Sequence, residues 1–291
     1  MRIFIAIALT VFTGFTGLVY EVTWQKYLAT LLGSHSEATA TVLGLFLGGL
    51  SLGYGLFGRA TARRVERARL RHGPARLLSL YAVVEGAIGL WALAFPWLFS
   101  GAQALSLRLP GLEAGTGFFL DVLLSASLIA PPSILMGGTI PILTAALSRD
   151  LGTATRVHAW VYGFNTLGAF LGALVGGFFL VPAYGLDRVS MAMGCINLVA
   201  ALVFALMDRT RSAHDSVSAP EVSPASAPSA ALRVEGYSGL ILVAALSGFA
   251  MMTIQTILNR IGALAFGASL FTFSMVVAAV SYTHLTLPTK A

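Results

Sequence analysis

Eight long apolar runs constrain the fold of this chain more than any other feature. A helix of about 20 apolar residues crosses the hydrocarbon core of a bilayer, where every backbone polar group must be bonded within the segment. The alternating pattern typical of membrane β-barrels is absent from the sequence. We therefore predict an all-α, polytopic transmembrane bundle of about eight spans. The runs cover 3–20, 38–58, 77–99, 118–147, 160–183, 189–207, 237–258 and 264–280.

The composition agrees with this fold class and excludes others. Only 10% of the 291 residues are charged, against about 25% in soluble domains, and the mean hydropathy is +0.83. A soluble enzyme of this size needs a far more polar surface, so we exclude that class. The single cysteine, Cys195, excludes a disulfide framework or a cysteine-ligated metal cluster, and the five histidines lack metal-ligand spacing. The sequence predicts no metal site, no cofactor and no catalytic residue within this chain.

Seven of the 18 basic residues lie in one short segment between the second and third apolar runs. Short loops rich in Lys and Arg stay on the cytoplasmic side of a membrane. Counting alternate segments from this one places thirteen basic residues inside and four outside. We therefore predict a multi-pass cell-membrane protein with a cytoplasmic N-terminus. The expected partner of this segment is the bilayer, through anionic lipids, and not nucleic acid. The seven residues are Arg59, Arg63, Arg64, Arg67, Arg69, Arg71 and Arg76.

A polar interval, 208–236, divides the apolar runs into two groups. Its centre, 216–231, consists almost wholly of Ser, Ala, Pro and Val, and such a sequence forms a flexible linker rather than a core. Because six runs precede it, we expect the linker to be cytoplasmic. The sequence thus predicts a first six-helix bundle over 1–207 and the first two helices of a second bundle over 237–280.

A modest internal repeat crosses this linker. When Gly14 is placed on Gly248, TGFTGLVYEVTWQKYLATLLGS (13–34) aligns without gaps with SGFAMMTIQTILNRIGALAFGA (247–268), and the small, aromatic and basic positions agree. Six runs separate the two copies, so both should have the same orientation. That parallel relation is the one between the two halves of major-facilitator transporters. The copies are not chemically equivalent, since Glu21 aligns with Gln255.

The end of the chain differs from what the repeat predicts. The first copy continues as an apolar run, whereas the second continues as SYTHLTLPTKA. The segment VSYTHLTLPT, 280–289, resembles one translated frame of a common transposase sequencing adapter. We expect that 281–291 is not native and that the natural protein continues past Val280. A native stop codon in the nucleotide record, preceded by sequence unrelated to the adapter, would contradict this expectation.

Glu85 is the first candidate for a charge-binding residue. It lies inside the third apolar run, where an ionised group is expensive unless it faces the bundle interior and meets a cation. A structural hydrogen bond to a neighbouring helix is the alternative. Tyr162 and Asn165, one turn apart on the fifth run, could line the same cavity as Glu85. For Asn197, on the sixth run, we expect a hydrogen bond between helices.

Glu21 is the second candidate carboxylate. It ends the first apolar run and begins a short amphipathic stretch that contains Trp24 and Lys26. An aromatic belt at the membrane interface explains the tryptophan. The spacing of Glu21 and Lys26 also fits a polar cluster at the outer mouth of the bundle.

The segment PPSILMGGTIP, 131–141, is expected to interrupt the fourth run. Prolines free backbone carbonyls, glycines allow a bend, and broken helices line cavities in transporters. Pro132, Gly137, Gly138 and Pro141 are therefore candidate helix-break or gating residues. The alternative is a packing kink in a structural helix.

Two series of glycines favour close helix packing. The motif GYGLFG, 53–58, has the spacing G-x-G-x-x-G, but a dinucleotide site needs a strand before it and a helix start after it. Here the motif ends an apolar run and extends a series of small residues over 44–58. A second series, Gly168, Gly172 and Gly176, recurs at spacing four. Both are typical of helices that pack closely in membranes.

Several of these segments together resemble a known family, the bacterial fused major-facilitator/spermidine-synthase membrane proteins. The resemblance rests on 14–34, on 131–141, on YGFNTLGAFLGALVGGFFLVPAYG at 162–185 and on the second SGF at 247–249. It implies a multi-span domain followed by a cytosolic aminopropyltransferase-like domain, which would bind decarboxylated S-adenosylmethionine and a polyamine. The Gly-rich loop and aspartates of that second domain are not present in these residues.

Two functional hypotheses follow. In the first, the chain is a transporter-like module that moves or presents a small cation, such as a polyamine, with Glu85, Glu21, Tyr162 and Asn165 as candidate substrate-binding residues. In the second, it is a membrane anchor or scaffold for an aminopropyltransferase domain of the spermidine-synthase type, without transport. The two differ in whether a cation crosses or enters the membrane domain.

Overall fold

The structure, a computed structural model, describes residues 2–33, 35–108, 114–148, 151–210, 237–266 and 271–286. All regular secondary structure in these residues is helical, which confirms the predicted all-α class. A π-helical segment, Gly176–Leu180, connects α5 to the short α6, so these elements form one continuous helix. The helices are α1 (Arg2–Leu32), α2 (His35–Leu70), α3 (Leu77–Leu107), α4 (Ala114–Leu147), α5 (Leu151–Val175), α6 (Val181–Tyr184), α7 (Leu186–Arg209), α8 (Tyr237–Phe266) and α9 (Thr272–Thr286).

Seven of the described helices are long and apolar enough to cross a membrane, by length and composition. The last apolar helix, Thr272–Thr283, is shorter. The predicted eighth run, 264–280, had wrong boundaries, because its first residues belong to the end of α8. Most of the predicted linker, 211–236, lies outside the described residues, as does 287–291 at the end of the expected non-native tail.

Helix α1 lies at the centre of the bundle and packs on α5 through the second glycine series. A Cβ atom on Gly168 would overlap the carbonyl oxygen of Val11, and one on Gly172 would overlap that of Phe15. In return, a Cβ on Gly14 of α1 would overlap the carbonyl oxygen of Asn165. The two backbones therefore touch, which confirms the packing interpretation of this series.

Helices α2 and α4 make the second close crossing. A Cβ on Gly53 would overlap the carbonyl oxygen of Ile134, and one on Gly137 would overlap that of Leu50. Only part of the first glycine series makes such contacts: Gly49 and Gly53 do, whereas Gly44, Gly48, Gly55 and Gly58 have open space within 4 Å. The spacing in the sequence did not distinguish these two groups.

Helix α4 runs without interruption from Ala114 to Leu147 through all three of its prolines. The expected break at 131–141 is therefore wrong for the described structure. The indole Nε1 of Trp91 on α3 donates to the carbonyl of Leu128, 3.0 Å away, which is the acceptor that Pro132 leaves free because it has no N–H. Side-chain donors of this kind help a proline stay inside a transmembrane helix.

The core around α1 is aromatic. Trp24 is fully buried and is stacked between Tyr20, at 5.4 Å between ring centroids, and Phe95, at 5.3 Å. The interfacial-belt interpretation of Trp24 is therefore wrong. Since α1 extends to Leu32, Glu21 also lies inside this helix rather than at its end.

The predicted arginine segment is mainly the C-terminal end of α2, followed by a short turn. With 36 residues, α2 is about 54 Å long, well beyond the roughly 30 Å of a hydrocarbon core. The arginine side chains of this end are exposed on the described surface. The structure includes no membrane, so the cytoplasmic orientation stays a prediction.

Candidate functional site

A cavity of about 700 Å³ lies between the first six long helices and the pair α8 and α9. This volume is within the usual range for small-molecule sites. Its walls come from α1, α2, α3, α4, α5, α7, α8 and α9. All four candidate substrate-binding residues from the sequence line this one cavity: Glu21, Glu85, Tyr162 and Asn165.

The charged residues of the cavity wall are both acidic. Glu21 and Glu85 are 4% and 1% exposed, and no Arg, Lys or His is among the described lining residues. Lys26, the expected partner of Glu21 in a polar cluster, is buried on α1 but does not line the cavity. Buried carboxylates need a counter-charge or hydrogen-bond donors to stay ionised. The cavity can therefore supply negative charge to a cation that enters it.

Glu85 on α3 is held in a hydrogen-bond network that joins three helices. The amide Nδ2 of Asn197 donates to Glu85 Oε2 at 2.6 Å, and the Tyr20 hydroxyl donates to Asn197 Oδ1 at 3.0 Å. The Tyr81 hydroxyl also donates to Glu85 and lies 3.4 Å from the Thr13 hydroxyl. Asn197 thus makes the predicted interhelical hydrogen bond, and Glu85 combines a structural role with access to the cavity.

Glu21 on α1 is in a different environment. It shares a helix face with Thr13 and Gly17, which precede it by two turns and one turn, and this face forms the α1 wall of the cavity. Within the described residues its carboxylate accepts no hydrogen bond from another side chain. Of the two acidic groups, Glu21 is therefore the one whose charge is open to a ligand.

The α5 wall carries the other two candidates. Tyr162 is 38% exposed and stacks on the His158 ring, with 6.2 Å between centroids. Asn165 lies one turn further, where its carbonyl contacts α1 at Gly14. Both reach the cavity, so the sequence was right that they share one.

The four candidate gating residues differ in whether they line the cavity. Gly137 lines the cavity, and because it has no side chain the backbone of α2 can approach it at Leu50. Pro132 and Pro141 lie elsewhere on α4, and Gly138 packs against the Phe57 ring. A gating role for these four residues stays a prediction.

Sequence reasoning missed part of the site. Tyr20 and Tyr81 look like ordinary core aromatics in the sequence, yet they supply the hydroxyls of the Glu85 network. Gln255 also lines the cavity, and its alignment with Glu21 was the signal that could have identified it. In the described part of the chain no three His, Cys, Asp or Glu side chains are grouped to hold a metal ion.

Comparisons with known proteins give a distant similarity. No protein-family model matches the chain, and no solved structure matches it. The chain is 29% identical over 191 residues to a polyamine aminopropyltransferase of Corynebacterium efficiens, covering 64% of this chain and 32% of that protein. It is 25% identical over 189 residues to polyamine aminopropyltransferase 1 of Streptomyces coelicolor, covering 64% of this chain and 31% of that protein. The chain thus spans about a third of the length of these curated relatives, and it resembles polyamine aminopropyltransferases over about two thirds of its own length.

Proposed function

We propose that this chain is a transporter-like membrane module whose cavity takes a small organic cation of the polyamine class. The observation that carries this proposal is the cavity itself, which lies between long apolar helices and is lined by two buried carboxylates without a basic residue among its described lining. An ammonium group restores the missing counter-charge and donates hydrogen bonds to the carboxylates.

The remaining walls suit the rest of such a molecule. A polyamine consists of ammonium groups separated by short methylene chains. Met136, Met251 and Met252 line the cavity together with aliphatic side chains, and methionine adapts its shape to flexible apolar ligands. Tyr162 and Asn165 add a hydroxyl and an amide that can bind further N–H groups. The cavity thus offers both acidic and apolar surface, as the substrate class requires.

The position of the cavity supports a transport role. It lies between the first six long helices and the helices that follow the linker. In transporters built from repeats, the substrate site lies between the repeats, and rocking of one bundle against the other exposes it to either side. The parallel repeat in the sequence, with one copy on α1 and the other on α8, fits that arrangement.

The alternative function, an anchor for an aminopropyltransferase domain, has its own support. The two curated relatives are named polyamine aminopropyltransferases, and the chain spans only about a third of their length. Under this alternative the long helices hold a transferase at the membrane. A cavity that binds polyamines would still serve it by presenting substrate.

A binding experiment tests the cavity. Radiolabelled spermidine is titrated against the purified chain in lipid nanodiscs, with equilibrium binding as the readout. We expect saturable binding that Glu21→Gln and Glu85→Gln each weaken by at least about tenfold, since each removes a buried charge. Glu66→Gln is the matched control, because Glu66 is an exposed carboxylate outside the cavity. Equal binding by all three variants would overturn the proposal.

Transport is then measured separately. The same chain in proteoliposomes is assayed for uptake of labelled spermidine, with empty liposomes as the control. Uptake that Glu21→Gln abolishes supports the transporter. Saturable binding without uptake supports the anchor that presents substrate.

A further inference from the structure

Every residue that the second copy of the repeat contributes to the cavity has an aligned partner that lines it from the first copy. On α8 the lining residues are Ser247, Gly248, Met251, Met252 and Gln255. Their partners in the repeat alignment are Thr13, Gly14, Gly17, Leu18 and Glu21, and every one of these lines the cavity from α1. The repeat is a property of the sequence and the cavity a property of the helix packing, so the two are independent of each other. Their agreement indicates that α1 and α8 form two equivalent walls of one site.

The most polar of these equivalent pairs is Glu21 and Gln255. Both side chains are largely buried, at 4% and 7% exposed, and both line the cavity. Neither side chain makes a hydrogen bond to another side chain within the described residues. A buried polar group without a protein partner is a recurring sign of a ligand or water site.

We propose that Glu21 and Gln255 form a single cation site, in which the carboxylate supplies the charge and the amide oxygen of Gln255 accepts a second N–H of the same ligand. This inference rests on the proposed cation-binding function and adds a specificity-determining residue to it. The ligand is a primary amine with two or more N–H donors. A quaternary amine, which has none, cannot use Gln255.

The geometry of a parallel repeat explains why the two residues can act together. In transporters with parallel repeats, a pseudo-two-fold axis along the membrane normal relates the two copies, so that equivalent residues lie at similar depth on either side of the axis. Both side chains line the same cavity although they come from nearly opposite ends of the chain. Since one position is Glu and the other Gln, the site is symmetric in position and asymmetric in charge.

The first experiment measures whether the negative charge of Glu21 affects the labelling of a cysteine at position 255, and it needs no knowledge of the natural ligand. Cys195 is the single cysteine, so Cys195→Ser gives a background without thiols. In that background Gln255→Cys is labelled with two methanethiosulfonates of similar size, one carrying trimethylammonium and one carrying sulfonate.

We expect the cationic reagent to react faster than the anionic one, and Glu21→Gln to reduce the rate ratio by about fivefold. A fivefold change corresponds, in a water-like medium, to a unit charge at a separation of about 8 Å acting on reagents of opposite charge. Glu66→Gln should leave the ratio unchanged. A ratio that is insensitive to Glu21 would overturn the inference.

The second experiment moves the charge from one wall to the other. Glu21→Gln should lose spermidine binding, and the double variant Glu21→Gln/Gln255→Glu should regain it to within about threefold of the original, because the site keeps its net charge. The control is Glu21→Gln/Gln25→Glu. Gln25 is a buried glutamine one turn along α1 that donates to Thr39 at 3.2 Å and does not line the cavity.

The two experiments separate the inference from the proposed function. If the original chain binds no polyamine but the labelling ratio still depends on Glu21, the shared cation site stands and the substrate class is wrong. If spermidine binds but neither labelling nor the charge exchange links the two residues, the function stands and the inference fails. Size-exclusion profiles of all variants identify any that do not fold.

Discussion

Two glycines of one motif, Gly53 and Gly55, should respond oppositely to the same substitution. They are close neighbours on α2 and identical in the sequence pattern. A Cβ on Gly53 would overlap the carbonyl oxygen of Ile134 and lie 3.0 Å from the Cα of Gly137. Both obstacles are backbone of α4, which cannot move aside as a flexible side chain can. A Cβ on Gly55 meets nothing within 4 Å.

The magnitudes follow from these surroundings. Forcing an extra methyl group into a closed crossing costs about 1–3 kcal/mol, which exceeds what alanine gains over glycine in helix propensity. At Gly55 only the propensity changes, and it favours alanine by up to about 1 kcal/mol. Gly53→Ala should therefore be less stable than Gly55→Ala by about 1–3 kcal/mol, because the propensity gain is common to both and cancels in the difference.

The assay is thermal unfolding of the purified chain in detergent, followed by the loss of the monodisperse size-exclusion peak. Gly53→Ala should lose this peak several degrees below the original chain, and Gly55→Ala at the same temperature or above. If both variants unfold at the same temperature, the close backbone crossing of α2 and α4 at Gly53 is contradicted, and the glycine motif needs another explanation.

Three further predictions test other parts of the molecule. Asn197→Leu should destabilise the chain by about 3 kcal/mol in thermal unfolding, because Glu85 loses a buried hydrogen-bond donor. Tyr20→Phe, which removes only the hydroxyl that donates to Asn197, should cost about 1 kcal/mol. Equal effects of the two substitutions would contradict the hydrogen-bond network. Trp24→Ala should cost about 3–5 kcal/mol, since this side chain is 0% exposed, whereas Trp97→Ala, at a side chain 67% exposed, should have little effect on the same unfolding temperature. A fluorescent protein that matures only in the cytosol, inserted at Gly73, should be bright, and replacing the seven arginines of the α2 end and the following turn with glutamine should dim it; an unchanged signal would show that these charges do not set the orientation.

Hydropathy and spacing predicted a large part of this molecule. The apolar runs identified the all-α class and most of the helices, because in a bilayer each span must satisfy its own backbone and length alone identifies it. The same reasoning singled out Glu85, since a carboxylate within such a run has few stable environments. It also predicted the packing of Gly168 and Gly172, and the shared cavity of Tyr162 and Asn165.

Other features depend on what a residue meets across the bundle, and no local pattern contains that information. The length of α1 places Glu21 inside this helix, and the indole of Trp91 on α3 donates to the carbonyl that Pro132 leaves free in α4. Gly53 and Gly55 belong to the same short motif, but only one of them faces α4.

The sequence by itself determined that this chain forms long apolar helices and carries carboxylates that such helices rarely tolerate. Only the tertiary structure decided that Glu21 and Glu85 share a cavity, that Glu85 is bonded to Asn197 and Tyr81, and that Gln255 lies on the equivalent wall. The physical reason is that the length of an apolar run is a property of one segment. Hydrogen bonds between helices and cavities form only where side chains from segments far apart in the chain meet.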